Sequence, residues 1–139
     1  MGGSAFKATI EFRSIMPPAG LLVVENKSGA DLRIWRQGNS WGDAAMSFNV
    51  KADGGNTRVT KVAKDYTRNV PASISVPPGG RHGLPFDLGD GSWQPASSLS
   101  LLGQADASLE AVYDSGDSPE LHEQGVWQGE LRSGFYPLH

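Results

Sequence analysis

The stretch PASISVPPGGRHGLPFDL, residues 71–88, decides the fold class. Ala72, Ile74 and Val76 share one parity and Ser73 and Ser75 the other. After the central PPGG, Leu84, Phe86 and Leu88 again fall on one side. Successive side chains of a strand point to opposite faces, so each run can bury one face and wet the other. Pro77 and Pro78 cannot continue a ladder, and Gly79 and Gly80 supply the backbone freedom for a chain reversal. Two short strands joined by a turn are expected here.

The same pattern extends in both directions. Phe6, Ala8, Ile10 and Phe12 alternate with Lys7, Thr9, Glu11 and Arg13 in a first strand that PPAG at 17–20 interrupts. Residues 21–24, LLVV, read as a central strand buried on both faces. NKSG at 26–29 reads as a turn, and Leu32 and Ile34 as the inward face of the strand after it. Met46, Phe48 and Val50 mark a fourth strand, ADGGN at 52–56 a hairpin turn, and residues 57–62 its return. Leu109, Ala111 and Tyr113 give a further strand, and residues 126–133 the last, with Trp127 and Leu131 on one side. Residues 37–43, 63–70 and 89–97 read as loops. Apart from one helical turn opened by Ser118-Pro119-Glu120, no helix of useful length is expected.

About eight short strands (seven to nine) in this spacing predict an all-β, two-layer antiparallel sandwich. Its core is drawn from Phe6, Ile10, Phe12, Leu22, Val24, Leu32, Ile34, Phe48, Val50, Ile74, Val76, Leu84, Phe86, Leu109, Ala111, Tyr113 and Leu131. Each large apolar side chain contributes about 1.5–3 kcal/mol on burial. The 139 residues form a single domain with no repeat or linker, residues 1–4 reading as a cloning remnant or disordered.

Eighteen Gly and nine Pro fit many turns, and 38% hydrophobic residues argue against disorder. The net charge is −3 and the twelve Lys and Arg are scattered, so neither nucleic acid nor a membrane is expected as a partner. With no Cys there is no disulfide, thiolate zinc site or thiol nucleophile. No signal-type apolar segment opens the chain, so a cytoplasmic protein, or a secreted one whose leader was removed, is expected.

The segments 22–35, 73–88, 109–113 and 125–133 share an order of features: an Asn-x-Ser-Gly turn, a strand with Trp, a Pro-Pro-Gly turn, Phe-Asp-Leu, Ala-Val-Tyr and Gly-Val-Trp-x-Gly. In this order the chain resembles the immunoglobulin-like sandwich modules of bacterial proteins, and within them is similar to the bacterial intracellular proteinase-inhibitor type. The resemblance covers less than half the chain. It implies an immunoglobulin-like fold and a habit of binding proteins, and it carries over no catalytic residue.

Chemistry is sparse. His82, His122 and His139 stand in no catalytic pattern, and there is no Ser elbow, His-Glu-x-x-His helix or Gly-rich phosphate loop, so no enzyme activity is expected. Asp87 and Asp90 flank a glycine, as calcium loops and ordinary turns both do, but match no twelve-residue calcium loop. No cofactor is assigned, with calcium the one candidate. The sharper signal is aromatic. If strands run up and down, the connections at 16–20, 37–43, 63–70 and 89–97 emerge at one end. Three of them carry Trp41, Tyr66 and Trp93, among Asn39, Asp43, Arg68 and Gln94. Such rings either fold back over the open core or stand out as anchors for a partner. A non-catalytic module that binds a protein through these loops is expected. One version is a proteinase inhibitor inserting residues 36–43 into an active-site cleft. A carbohydrate- or calcium-dependent binding domain is the alternative.

Overall fold

The computed structural model describes residues 5–139, and the reading of residues 1–4 lies outside them. The fold is all-β in class: the described residues form ten strands and three short helices, with every ladder among them antiparallel. In order they are β1 (Phe6–Ile15), β2 (Pro18–Asn26), β3 (Leu32–Trp35), α1 (Ser40–Ala45), β4 (Met46–Ala52), β5 (Gly55–Lys61), β6 (Ser73–Val76), β7 (Arg81–Asp87), β8 (Trp93–Gln94), α2 (Ser98–Leu102), β9 (Ser108–Asp114), α3 (Pro119–Gln124) and β10 (Glu130–Pro137).

They form three sheets, ordered β1-β2-β7, β10-β9-β4-β5-β8 and β3-β6. The period-two pattern does what it predicts in β1, where Phe6, Ala8 and Ile10 are buried while Lys7 and Glu11 are exposed. Phe48 of β4 meets Phe86 of β7 at 4.9 Å and Trp93 of β8 at 5.3 Å, so the three- and five-stranded sheets share one core. Side chains stitch the sheets where ladders stop. Tyr136 Oη accepts from the Ile10 amide at 3.2 Å. Trp93 Nε1 donates to the Asp87 carbonyl at 3.0 Å, and Gln37 Nε2 to the Pro85 carbonyl at 2.9 Å. Pro85, which lacks an N–H, stands on the free edge of β7 and blunts it.

The decisive stretch folds differently from its expected reversal. β6 and β7 share no ladder: β6 pairs with β3 and β7 with β2. The turn at Pro77–Gly80, closed by the Gly80 amide on the Pro77 carbonyl at 2.8 Å, is therefore a kink in a ribbon whose other half kinks at residues 26–31. Asn26, 0% exposed, holds the two kinks together. Its amide donates to Gly80 O and its carbonyl accepts from Gly79 N, each at 2.9 Å. Its side chain donates to Val76 O and Ala30 O at 2.8 Å and accepts from the Ser28 amide at 2.8 Å and the Ser28 hydroxyl at 2.7 Å. The Asn-x-Ser sequon there is thus a buried structural staple rather than an accessible glycan acceptor.

Other boundaries move as well. The last strand runs Glu130–Pro137 instead of 126–133, because Val126 and Trp127 instead border β3, with the Trp127 amide on Arg33 O at 2.8 Å. A bulge between Arg132 and Phe135 breaks its ladder, and Ser133 Oγ takes the Ala111 amide left over, at 2.9 Å. The β4–β5 hairpin turns on Asp53 and Gly54 with φ of 54° and 74°, the doubly positive form that favours Asp-Gly. Ser118 caps α3 through its hydroxyl as expected, whereas α1 replaces part of the expected loop at 37–43 and α2 forms just beyond the expected loop at 89–97. Phe12, Leu32 and Ile74 are half-buried against the core, and Trp35, Val59, Leu102 and Leu121 join it fully.

Candidate binding site

The site is built at the end of the molecule where β4 begins and β5 ends. Residues 37–45 leave β3 and wind into α1. Asn39 is its N-cap, accepting from the Gly42 amide at 2.8 Å while donating to Arg36 O at 3.1 Å. Gly42 is required there: a Cβ would stand 1.7 Å from the Arg36 carbonyl oxygen. The helix packs so closely that Asn39 and Asp43 are both buried.

Against α1 lies the irregular segment after β5, residues 62–72. It has no ladder of its own, and side chains fix it instead. Tyr66 Oη donates to Asp43 Oδ2 at 2.5 Å, and Asp43 Oδ1 accepts from the Gly38 amide at 2.9 Å. Asn69 Oδ1 accepts from the Ser40 amide at 2.9 Å, and Asn69 Nδ2 donates to Ser40 Oγ at 2.8 Å. Lys64 Nζ reaches Asp43 Oδ2 at 3.9 Å and lies 5.2 Å from the Tyr66 ring centre. Burial, followed by the hydrogen bond to Asp43 and that carboxylate's charge, pushes the Tyr66 phenol up to about 12. Between α1 and this segment is a cleft of about 190 Å³, lined by Ser40, Asp43, Ala44, Lys61, Val62, Ala63, Lys64, Tyr66 and Asn69.

The connections expected at one end touch in two pairs, bridged by the end of β5. Residues 37–43 meet 63–70 through the bonds above, Lys61 lies 5.5 Å from the Trp93 ring centre, and Pro17 abuts Gly89. Their aromatic side chains do not form one exposed patch. Trp93 is 7% exposed and fills the core beside Phe48, so it offers no ring to a partner. Trp41 is half-buried, its ring tilted 33° against that of Trp35 with centroids 6.2 Å apart and its Nε1 donating to Glu120 Oε1 at 3.1 Å. Arg68 is exposed between Tyr66 and Asn69. Gln94 is exposed and bonds Thr60 Oγ1 at 3.3 Å. Asp87 and Asp90 each cap their own turn, through Gly89 N and through Ser92 N and Oγ. Among the described residues no three His, Asp or Glu side chains group as metal ligands would, and no helix is long and apolar enough to cross a membrane.

Lys61 and Lys64 were not legible as site residues. They follow from the point where β5 ends, which sets which side chains face the cleft. Comparison with protein-family models, with curated proteins and with solved structures finds no match.

Proposed function

We propose that this chain is a non-catalytic binding module that engages a protein partner with the cleft between α1 and residues 61–69. One observation carries it: an exposed segment without secondary structure is tied to α1 by the Tyr66–Asp43 and Asn69–Ser40 hydrogen bonds. Ordering a loop before binding removes an entropic cost from association, which is how rigid loops on a scaffold gain affinity. The scaffold we infer is a two-layer, immunoglobulin-like sandwich, favoured by the contact of Phe48 with Phe86 across the shared core.

In the inhibitor version, the inserted segment is residues 62–70 and not 36–43. The latter is wound into α1 with Asn39 and Asp43 buried, while 62–70 is exposed at every position but Tyr66. A glycan is the second ligand class, favoured by the half-buried Tyr66 ring beside Asn69 and Ser40.

A photo-cross-linking side chain at Thr67, compared with one at Asn56 near the opposite end of β5, tests the assignment in extract of the source cell. A discrete protein adduct from position 67 alone supports it. Equal adducts from both positions, or none from 67, overturn it. A panel of serine and cysteine proteases tests the inhibitor version, which no inhibition at micromolar protein would remove.

A further inference from the structure

We infer that the cleft takes one bulky apolar side chain from an acidic protein segment, the apolar group seated against Val62, Ala63 and Ala44 and the flanking carboxylates held by Lys61 and Lys64. This rests on the proposed protein-binding role and names the chemistry of the partner. The volume, about 190 Å³, is below that of pockets that enclose whole small molecules, and suits a single side chain. Its lining combines apolar groups with two lysines. Lys64 keeps 58% of its side-chain surface exposed, so its ammonium is accessible to a second carboxylate.

The local charge runs against the molecule's own. The chain carries −3, yet residues 61–70 hold Lys61, Lys64 and Arg68 against one anion, Asp65. The remaining carboxylate at the cleft, Asp43, is buried and committed to Gly38, Tyr66 and Lys64. A basic rim attracts an acidic segment, speeding encounter and fixing register. A lipid surface fits less well. The exposed large apolar residues near this cleft are Val62 and Val70, with no exposed aromatic beside them to enter a bilayer.

The test is a titration of the ¹⁵N-labelled full chain, followed by amide shifts, with three acetylated, amidated pentapeptides. One has phenylalanine between pairs of acidic residues, one has alanine in its place, and one has phenylalanine between pairs of lysines. Phosphatidylserine–phosphatidylcholine vesicles form a fourth arm. The first peptide is expected to shift the amides of Val62, Ala63 and Tyr66, and the alanine peptide to bind about tenfold more weakly. The double substitution Lys61→Glu plus Lys64→Glu, checked for an unchanged amide spectrum elsewhere, is expected to weaken the first peptide at least tenfold at low salt and less at high salt. If the substituted chain does not fold, raised salt on the unsubstituted protein gives the same readout. Equal binding of the lysine peptide, shifts confined to other surfaces, or binding to vesicles without binding to the acidic peptide each overturn the inference. A specific adduct from position 67 together with no acidic-peptide binding would leave the protein-binding role standing and remove only this partner chemistry.

Discussion

Replacing Asn26 by Ala tests the kinked ribbon that organises half the fold. The substitution deletes four side-chain hydrogen bonds, to Val76 O, Ala30 O and the amide and hydroxyl of Ser28. Each is worth about 0.5–1.5 kcal/mol net. The bonds to Ala30 and Ser28 lie near the surface, where water replaces them in part. The one to Val76 O is buried, and leaving that carbonyl unpaired costs about 1–3 kcal/mol. The sum is about 3 kcal/mol. At about 2.1 cal/mol/K per residue, unfolding of 139 residues has an entropy that turns this loss into a fall in Tm of roughly 10 °C. Asn26→Asp is more discriminating. It keeps the shape but sets a carboxylate oxygen against two carbonyls, so the folded state favours the protonated acid and its pKa rises above the unfolded value of about 3.9. A raised carboxyl pKa contributes stability at low pH that is lost as pH climbs through the folded value. Asn26→Asp is therefore expected to lie closer to the parent protein at pH 4 than at pH 7, whereas Asn26→Ala lies equally far at both. Urea unfolding at the two pH values measures this. A loss under about 0.5 kcal/mol for Asn26→Ala, or an Asn26→Asp deficit independent of pH, would refute the staple.

Further outcomes follow from the same contacts. Trp93→Ala is expected to cost about 3–5 kcal/mol in denaturant unfolding, since the ring packs on Phe48 and bonds Asp87 O; a near-neutral result would return Trp93 to the surface. Gly42→Ala forces a methyl onto the Arg36 carbonyl and is expected to cost about 1–3 kcal/mol and shift the amides of residues 38–45, which a spectrum matching the parent protein would contradict. The Tyr66 phenol is pushed up to about 12 from 10, so its bond to Asp43 contributes fully below pH 10 and is lost as pH rises through about 12. Absorbance titration should show Tyr66→Phe removing one late-ionising phenol, with Tyr113, raised mainly by burial to about 12, retained. His82 is lowered by burial and then by Arg36, so it favours unfolding as pH drops below about 6.5. His82→Gln is expected to flatten the stability profile between pH 5 and 7.

The alternation in β1 and β7 was readable because each buries one face, and in β4 because polar Ser47 and Asn49 alternate with Met46, Phe48 and Val50 although both of its faces are buried, as are those of β9. Strand pairing was not. Pro77–Gly80 has turn composition, but whether a turn folds its flanking strands on each other or bends them along another pair depends on distant partners. Trp35 falls on the parity opposite Leu32 and Ile34 and packs inside all the same, because the end of β3 is buried on both faces while Arg33 stays exposed. The buried polar residues were legible as turn formers only. Asn26 and Asp43 gain their roles from Val76, Gly80 and Tyr66, many residues away. Trp93 looked like a loop anchor because two-residue β8 is too short to leave a pattern.

The claim on which the functional account turns is that residues 61–69 are fixed against α1 before any partner arrives. Amide hydrogen exchange of the free protein at Ser40 tests this directly, since that amide stands at the start of a helix and Asn69 Oδ1 is its acceptor. The account predicts that the Ser40 amide is slowed well beyond an unstructured peptide, and that Asn69→Ala releases it while amides of β4 and β9 stay protected. Exchange of the Ser40 amide at the unstructured rate in the unsubstituted protein would contradict it.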